Sequence, residues 1–112
     1  MRQGQPAGEL GRFGKDMSQY ILLIHGNTTT QTKPEEWDHF FMLARQSGLF
    51  KGGSEIGNRV VIGQAQALKS SDHITGFMRF DSENRQEIVE LLEVHPVVLN
   101  GGAVELCEMP KS

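Results

Sequence analysis

The stretch "EVHPVVLNGGAVELCEMP", Glu93 to Pro110, decides the fold. It sets a histidine at the end of an apolar helical pattern and a proline straight after it. Proline disfavours α conformation in the residue before it, so the helix is expected to end at His95. Gly101-Gly102 then makes a turn into a last strand over Ala103–Met109. Working back, Ile88, Leu91, Leu92 and His95 recur at i, i+3, i+4, i+7 on one helix face, behind an Asp81-Ser82 cap. His95 therefore falls on the inner stripe of the last turn, where a helix dipole favours an imidazolium.

The rest of the chain fills in what precedes that helix. Tyr20–His25 is an apolar run ended by Gly26-Asn27, and reads as a central strand buried on both faces. Thr32-Lys33-Pro34-Glu35 is a capping box with proline in the first turn. Trp37, Phe40, Phe41 and Ala44 keep helical spacing up to Gly48, which suits the left-handed residue after a helix. Leu49-Phe50-Lys51 is a short extended piece that Gly52-Gly53 breaks, and Arg59–Ile62 is a second one, with a hairpin expected around Gly57-Asn58. Residues 63–71 read as a loop or an edge strand, and His73–Phe80 as a strand. The order is βαββαβ, the split unit of the ferredoxin-like α+β fold. Two helices cover one face of such a sheet, and the other face calls for a second copy, hence a homodimer.

Strand alternation sorts the polar residues. Ile74, Gly76, Met78 and Phe80 face the helices, as do Val104 and Leu106. His73, Thr75, Phe77 and Arg79 face away, with Glu105 and Cys107, and His25 shares its face with Ile21 and Leu23. His25, His73, Arg79 and Glu105 are thus expected to converge on the side that a dimer encloses. Each also has a structural reading: Arg79 and Glu105 as an ion pair, within the sheet or bridging the dimer, His73 as an exposed strand end, His25 as a packing residue at the end of its strand, and Trp37 as core or pocket wall. His95 reads as a cap over the last carbonyls or as a proton carrier, since imidazole alone titrates near neutrality unperturbed.

Composition excludes several classes. The chain has 112 residues and a formal net charge of −3, which provides no basic footprint for nucleic acid or an anionic membrane. No apolar run approaches the ~20 residues of a membrane span. One cysteine, Cys107, allows no internal disulfide, and its small side chain suits the core of a strand. No two histidines stand at ligand-pair spacing, and no glycine motif fits a nucleotide loop, so neither metal nor cofactor is expected. Residues 1–16 carry only Leu10 and Phe13 as sizeable apolar side chains and read as a flexible extension before a 17–112 domain. With no signal-peptide apolar core there, a cytoplasmic location is the default.

Together, "YILLIHG" at Tyr20–Gly26, the Gly48–Gly53 step and the "HPVVLNGGAVELCEMP" ending at His95–Pro110 resemble the YCII-related family, which includes the DGPF group. The resemblance covers residues 19–109. It implies a ferredoxin-like subunit that pairs into a dimeric α/β barrel, with a pocket between sheet and helices. Enzyme-like members carry a histidine in the first helix and an aspartate before the proline. Here those positions fall near Trp37 and at His95, His39 lies off the apolar stripe, and residues 63–75 hold no DGPF motif. The expected function is small-molecule binding, with proton transfer or elimination on a small anionic or aromatic compound as the chemistry. His95 and His25 are the candidate bases, and Arg79, Glu105, Trp37 and His73 the candidate binding residues. The alternative is a non-catalytic interaction module whose polar residues serve dimerisation.

Overall fold

A computed structural model describes residues 17–64, 66 and 70–111, so the expected N-terminal extension and part of the 63–71 stretch lie outside the described residues. In chain order the elements are β1 (Ser18–His25), α1 (Pro34–Ser47), β2 (Phe50–Glu55), β3 (Ile74–Ser82), α2 (Arg85–Leu92), α3 (Pro96–Leu99) and β4 (Val104–Met109). The sheet is antiparallel with strand order β2-β3-β1-β4, an α+β arrangement compatible with the ferredoxin-like unit. None of the described helices is long and apolar enough to cross a membrane.

β1 is central, as its apolar run predicts, but its burial alternates. Tyr20, Leu22 and Ile24 are buried against the helices, while Ile21, Leu23 and His25 are half-buried on the open face. The same alternation holds along β3, where Gly76, Met78 and Phe80 are buried. The core is completed by Phe40 and Ala44 of α1, Ile88 and Leu92 of α2, and Val97 of α3. Fully burying one such large apolar side chain contributes about 1.5–3 kcal/mol, so this single layer carries most of the driving force.

Three boundaries differ from the sequence reading. The cap of α1 is Lys33, one residue late: Glu36 Oε1 accepts from the Lys33 N–H at 2.8 Å, and Thr32 is left to accept from Trp37. The cap of α2 is Asn84, whose Oδ1 accepts from the Gln86 N–H, because Ser82 remains in β3. The Arg59–Ile62 strand and its Gly57-Asn58 hairpin do not form. Instead β2 runs through Gly52-Gly53 and pairs directly with β3. The glycines do not break the strand; they permit the pairing. Gly52 takes φ +119° at a register shift, and a Cβ on Gly53 would overlap the Phe77 carbonyl oxygen. Gly48 closes α1 at φ 74° with its N–H donating to Arg45, as its spacing predicts.

The largest correction concerns His95. α2 stops at Leu92, and after a turn at Glu93-Val94 His95 becomes the N-cap of α3, with Pro96 in its first turn. Proline fits that position because it has no N–H to leave unpaired. Pro96 therefore starts a helix rather than ending one.

Candidate functional site

A cleft of about 660 Å³ opens between α1, α3 and the β2–β3 side of the sheet. Its existence follows from the glycines. Gly53 on β2 lies opposite Met78, and Gly76 on β3 opposite Ile24 and Glu55, so β2 and β3 each lack a side chain at one position on the helix side. Aromatic residues wall the space: Trp37 and Phe41 from α1 and Phe50 from β2. The Trp37 and Phe41 rings stack at 6.0 Å, and Phe41 and Phe50 meet at 6.0 Å. Trp37 donates its Nε1–H to Thr32 Oγ1 at 3.1 Å, which fixes the indole from the β1–α1 loop. Trp37 is half-buried, so it serves as pocket wall while also packing against the core.

Polar groups are few and specific. Thr28, Thr32, Ser54 and Thr75 are its lining residues with hydroxyl side chains, those of Ser54 and Thr75 engaged with the Glu55 and Ile24 carbonyls, and Glu55 is its one charged residue among the described residues. No basic side chain lines the cleft there. Arg79, a candidate binding residue for an anionic compound, is exposed on β3, on the open face of the sheet away from α1.

His95 stands directly behind the Trp37 wall. Its ring is edge-on to Trp37 at 5.1 Å and to Phe40 at 4.7 Å. Nδ1 accepts the Val97 N–H at 3.1 Å, so the proton of the neutral ring belongs on Nε2. Nε2 is buried and has no hydrogen-bond partner among the described residues. Burial pushes the ring's pKa from 6.5 down to about 4, because an apolar surround penalises the imidazolium. The expected protonated, end-of-helix imidazole is thus corrected to a neutral one at a helix start. The ring does point inward.

His25, His73 and Glu105 lie on the other side of the sheet. His25 Nε2 and Glu105 Oε1 are 3.1 Å apart, and the His25 and His73 rings are 5.1 Å apart. His73 is exposed in the turn before β3, as its position predicts. Arg79 does not join them within the chain: the register puts it across Ile21, and Glu105 across Leu23, on opposite flanks of β1. The in-chain Arg79–Glu105 pair is replaced by His25–Glu105. Cys107 is half-buried on this open face rather than in the core. The six candidate residues therefore divide, with Trp37 and His95 on the helix side and the other four on the open side. No group of three His, Cys, Asp or Glu among the described residues is placed to hold a metal ion.

One residue that frames the cleft escapes a motif search. Asn100 is buried; its Nδ2 donates to Pro96 O at 2.7 Å and Glu36 Oε1 at 3.0 Å, while Thr30 Oγ1 donates to its Oδ1 at 2.7 Å. Its carbonyl accepts from the Thr29 N–H at 2.8 Å. Glu36 is held below the usual carboxylate range by the Lys33 N–H and by Asn100. These bonds tie α3 to the start of α1 and to the threonine loop that positions Trp37. The run Thr28-Thr29-Thr30 was the available signal, because clustered hydroxyls outside regular elements require partners.

No family model matches the chain, and no curated protein matches it. A crystal structure of a protein designated PH0061 is similar in fold, with a TM-score of 0.50 at 14% identity. The match covers 86% of this chain and 53% of the other, so the chain spans about half the length of the structure it resembles, and the likeness extends to the fold alone.

Proposed function

We propose that the chain is a small-molecule-binding protein whose site is the Trp37 cleft, in a homodimer of the YCII-like dimeric α/β-barrel kind. The observation that carries the reading is the cleft itself. At about 660 Å³ it falls within the range of roughly 300–1,000 Å³ typical of ligand sites. It also has their composition, aromatic walls with a few fixed polar groups. Binding rather than proton transfer is the activity proposed, because Glu55 is the lone Asp, Glu, His, Lys or Arg lining the cleft among the described residues. His95 is neutral behind the wall and holds the wall in place. One cysteine and no disulfide partner suit a reducing cytoplasm.

Support for a second copy comes from the open face, where Ile21, Leu23, Phe77 and Cys107 form an apolar stripe across three strands. The charges there are self-complementary. A two-fold axis along β1 sets the Arg79 flank of one copy over the Glu105 flank of the other. A second reading, in which these polar residues serve self-association alone, is favoured by the His25–Glu105 pair on that same face.

A thermal-shift screen against a metabolite library tests the binding reading, with Trp37 emission as the second readout. Ligands of the cleft are expected to raise the melting temperature and change the emission together. Stabilising compounds that leave Trp37 unchanged would place the binding site elsewhere.

A further inference from the structure

We propose that the Trp37 cleft takes an organic cation, a primary or quaternary ammonium carried on an apolar or aromatic body. The inference rests on the reading of the cleft as a ligand site and adds the ligand's charge. Two features point the same way. Glu55, exposed on the cleft lining, makes no ion pair among the described residues and has no basic lining residue beside it. A carboxylate in that position repels an anion, is indifferent to a neutral molecule and attracts a cation.

The aromatic walls supply the second feature. Indole and phenyl faces attract an ammonium through the ring quadrupole, and indole does so best. Phe41 already takes a cation in this fold: the exposed Arg45 guanidinium stands 5.5 Å from its ring centroid. That leaves Trp37 and Phe50 for a ligand, with the indole held by Thr32. Holding the indole before the ligand arrives lowers the ordering cost of binding. The glycine floor of Gly53 and Gly76 leaves room for the body, and Thr28 and Thr32, both lining residues, carry hydroxyl oxygens able to accept from the N–H groups of a primary ammonium.

The chain has a single tryptophan, so Trp37 emission reads occupancy of the cleft directly. The full chain is titrated with three probes of similar shape: phenethylammonium, 2-phenylethanol and 3-phenylpropionate. The ammonium is expected to bind roughly tenfold more tightly than the alcohol, with the carboxylate weakest. Glu55→Gln, at an exposed position, is expected to bring the ammonium to the alcohol's affinity and leave the alcohol unchanged. An alcohol or carboxylate that binds as tightly as the ammonium overturns the charge assignment and leaves the cleft a ligand site. So does a Glu55→Gln chain that keeps the ammonium preference. Emission unmoved by all three probes overturns both the cation and the cleft.

Discussion

At His95 a fully buried ring meets one demand and leaves another unmet. Nδ1 caps α3 through the Val97 N–H, while Nε2 finds no partner among the described residues. The cost falls on the charged form, whose pKa drops from 6.5 to about 4. In the unfolded chain the ring keeps its ordinary affinity for a proton, so the unfolded state binds it first as pH falls. Stability is therefore full above about pH 6.5 and is lost as pH drops toward 4, by on the order of 3 kcal/mol from this residue. His95→Asn keeps a capping oxygen and removes the titration. Urea unfolding of both proteins at pH 7 and pH 4.5 is expected to show a smaller acid loss in the variant; equal losses would contradict it. The inward placement of His95 is legible in the spacing from Ile88. Its helix is not, because the turn at Glu93-Val94 has no glycine to mark it and proline serves equally as a stop or a first-turn residue.

Among the elements, β2 shows where sequence patterns mislead. A glycine pair usually punctuates a chain, and Phe50–Glu55 has only one large apolar residue to suggest a strand. The reason for glycine lies on β3, at the Phe77 carbonyl that a Cβ on residue 53 would overlap. Such a requirement belongs to the partner strand and leaves no trace in local spacing. The two main helices and β1, β3 and β4 are legible because their own apolar periods are strong, and their faces follow from alternation. A pocket between sheet and helices is implied by the family resemblance, but nothing in local spacing marks this cleft, since it is made by what Gly53 and Gly76 lack. Gly53→Ala is expected to cost roughly 2 kcal/mol or more, as overpacking against backbone does. Ser54→Ala, beside it, should stay within about 0.5 kcal/mol, because its hydroxyl donates only to its neighbour's carbonyl on an exposed strand. Chemical denaturation of the two variants measures both. Equal costs would mean that β2 does not approach β3 as described.

For the molecule as a whole, the sheet has two dissimilar sides. The helices bury one and leave the cleft on it. The other carries a half-buried stripe of Ile21, Leu23, Phe77 and Cys107, flanked by Arg79 and the His25–Glu105 pair. An apolar face of this kind is the ordinary mark of an interaction surface, and its opposed charges suit an identical partner related by a two-fold axis. The proposed dimeric barrel depends on that pairing. Static light scattering on the full chain at micromolar concentration measures it most directly. A mass of twice the 12.5 kDa chain is predicted, and a mass of one chain would contradict it.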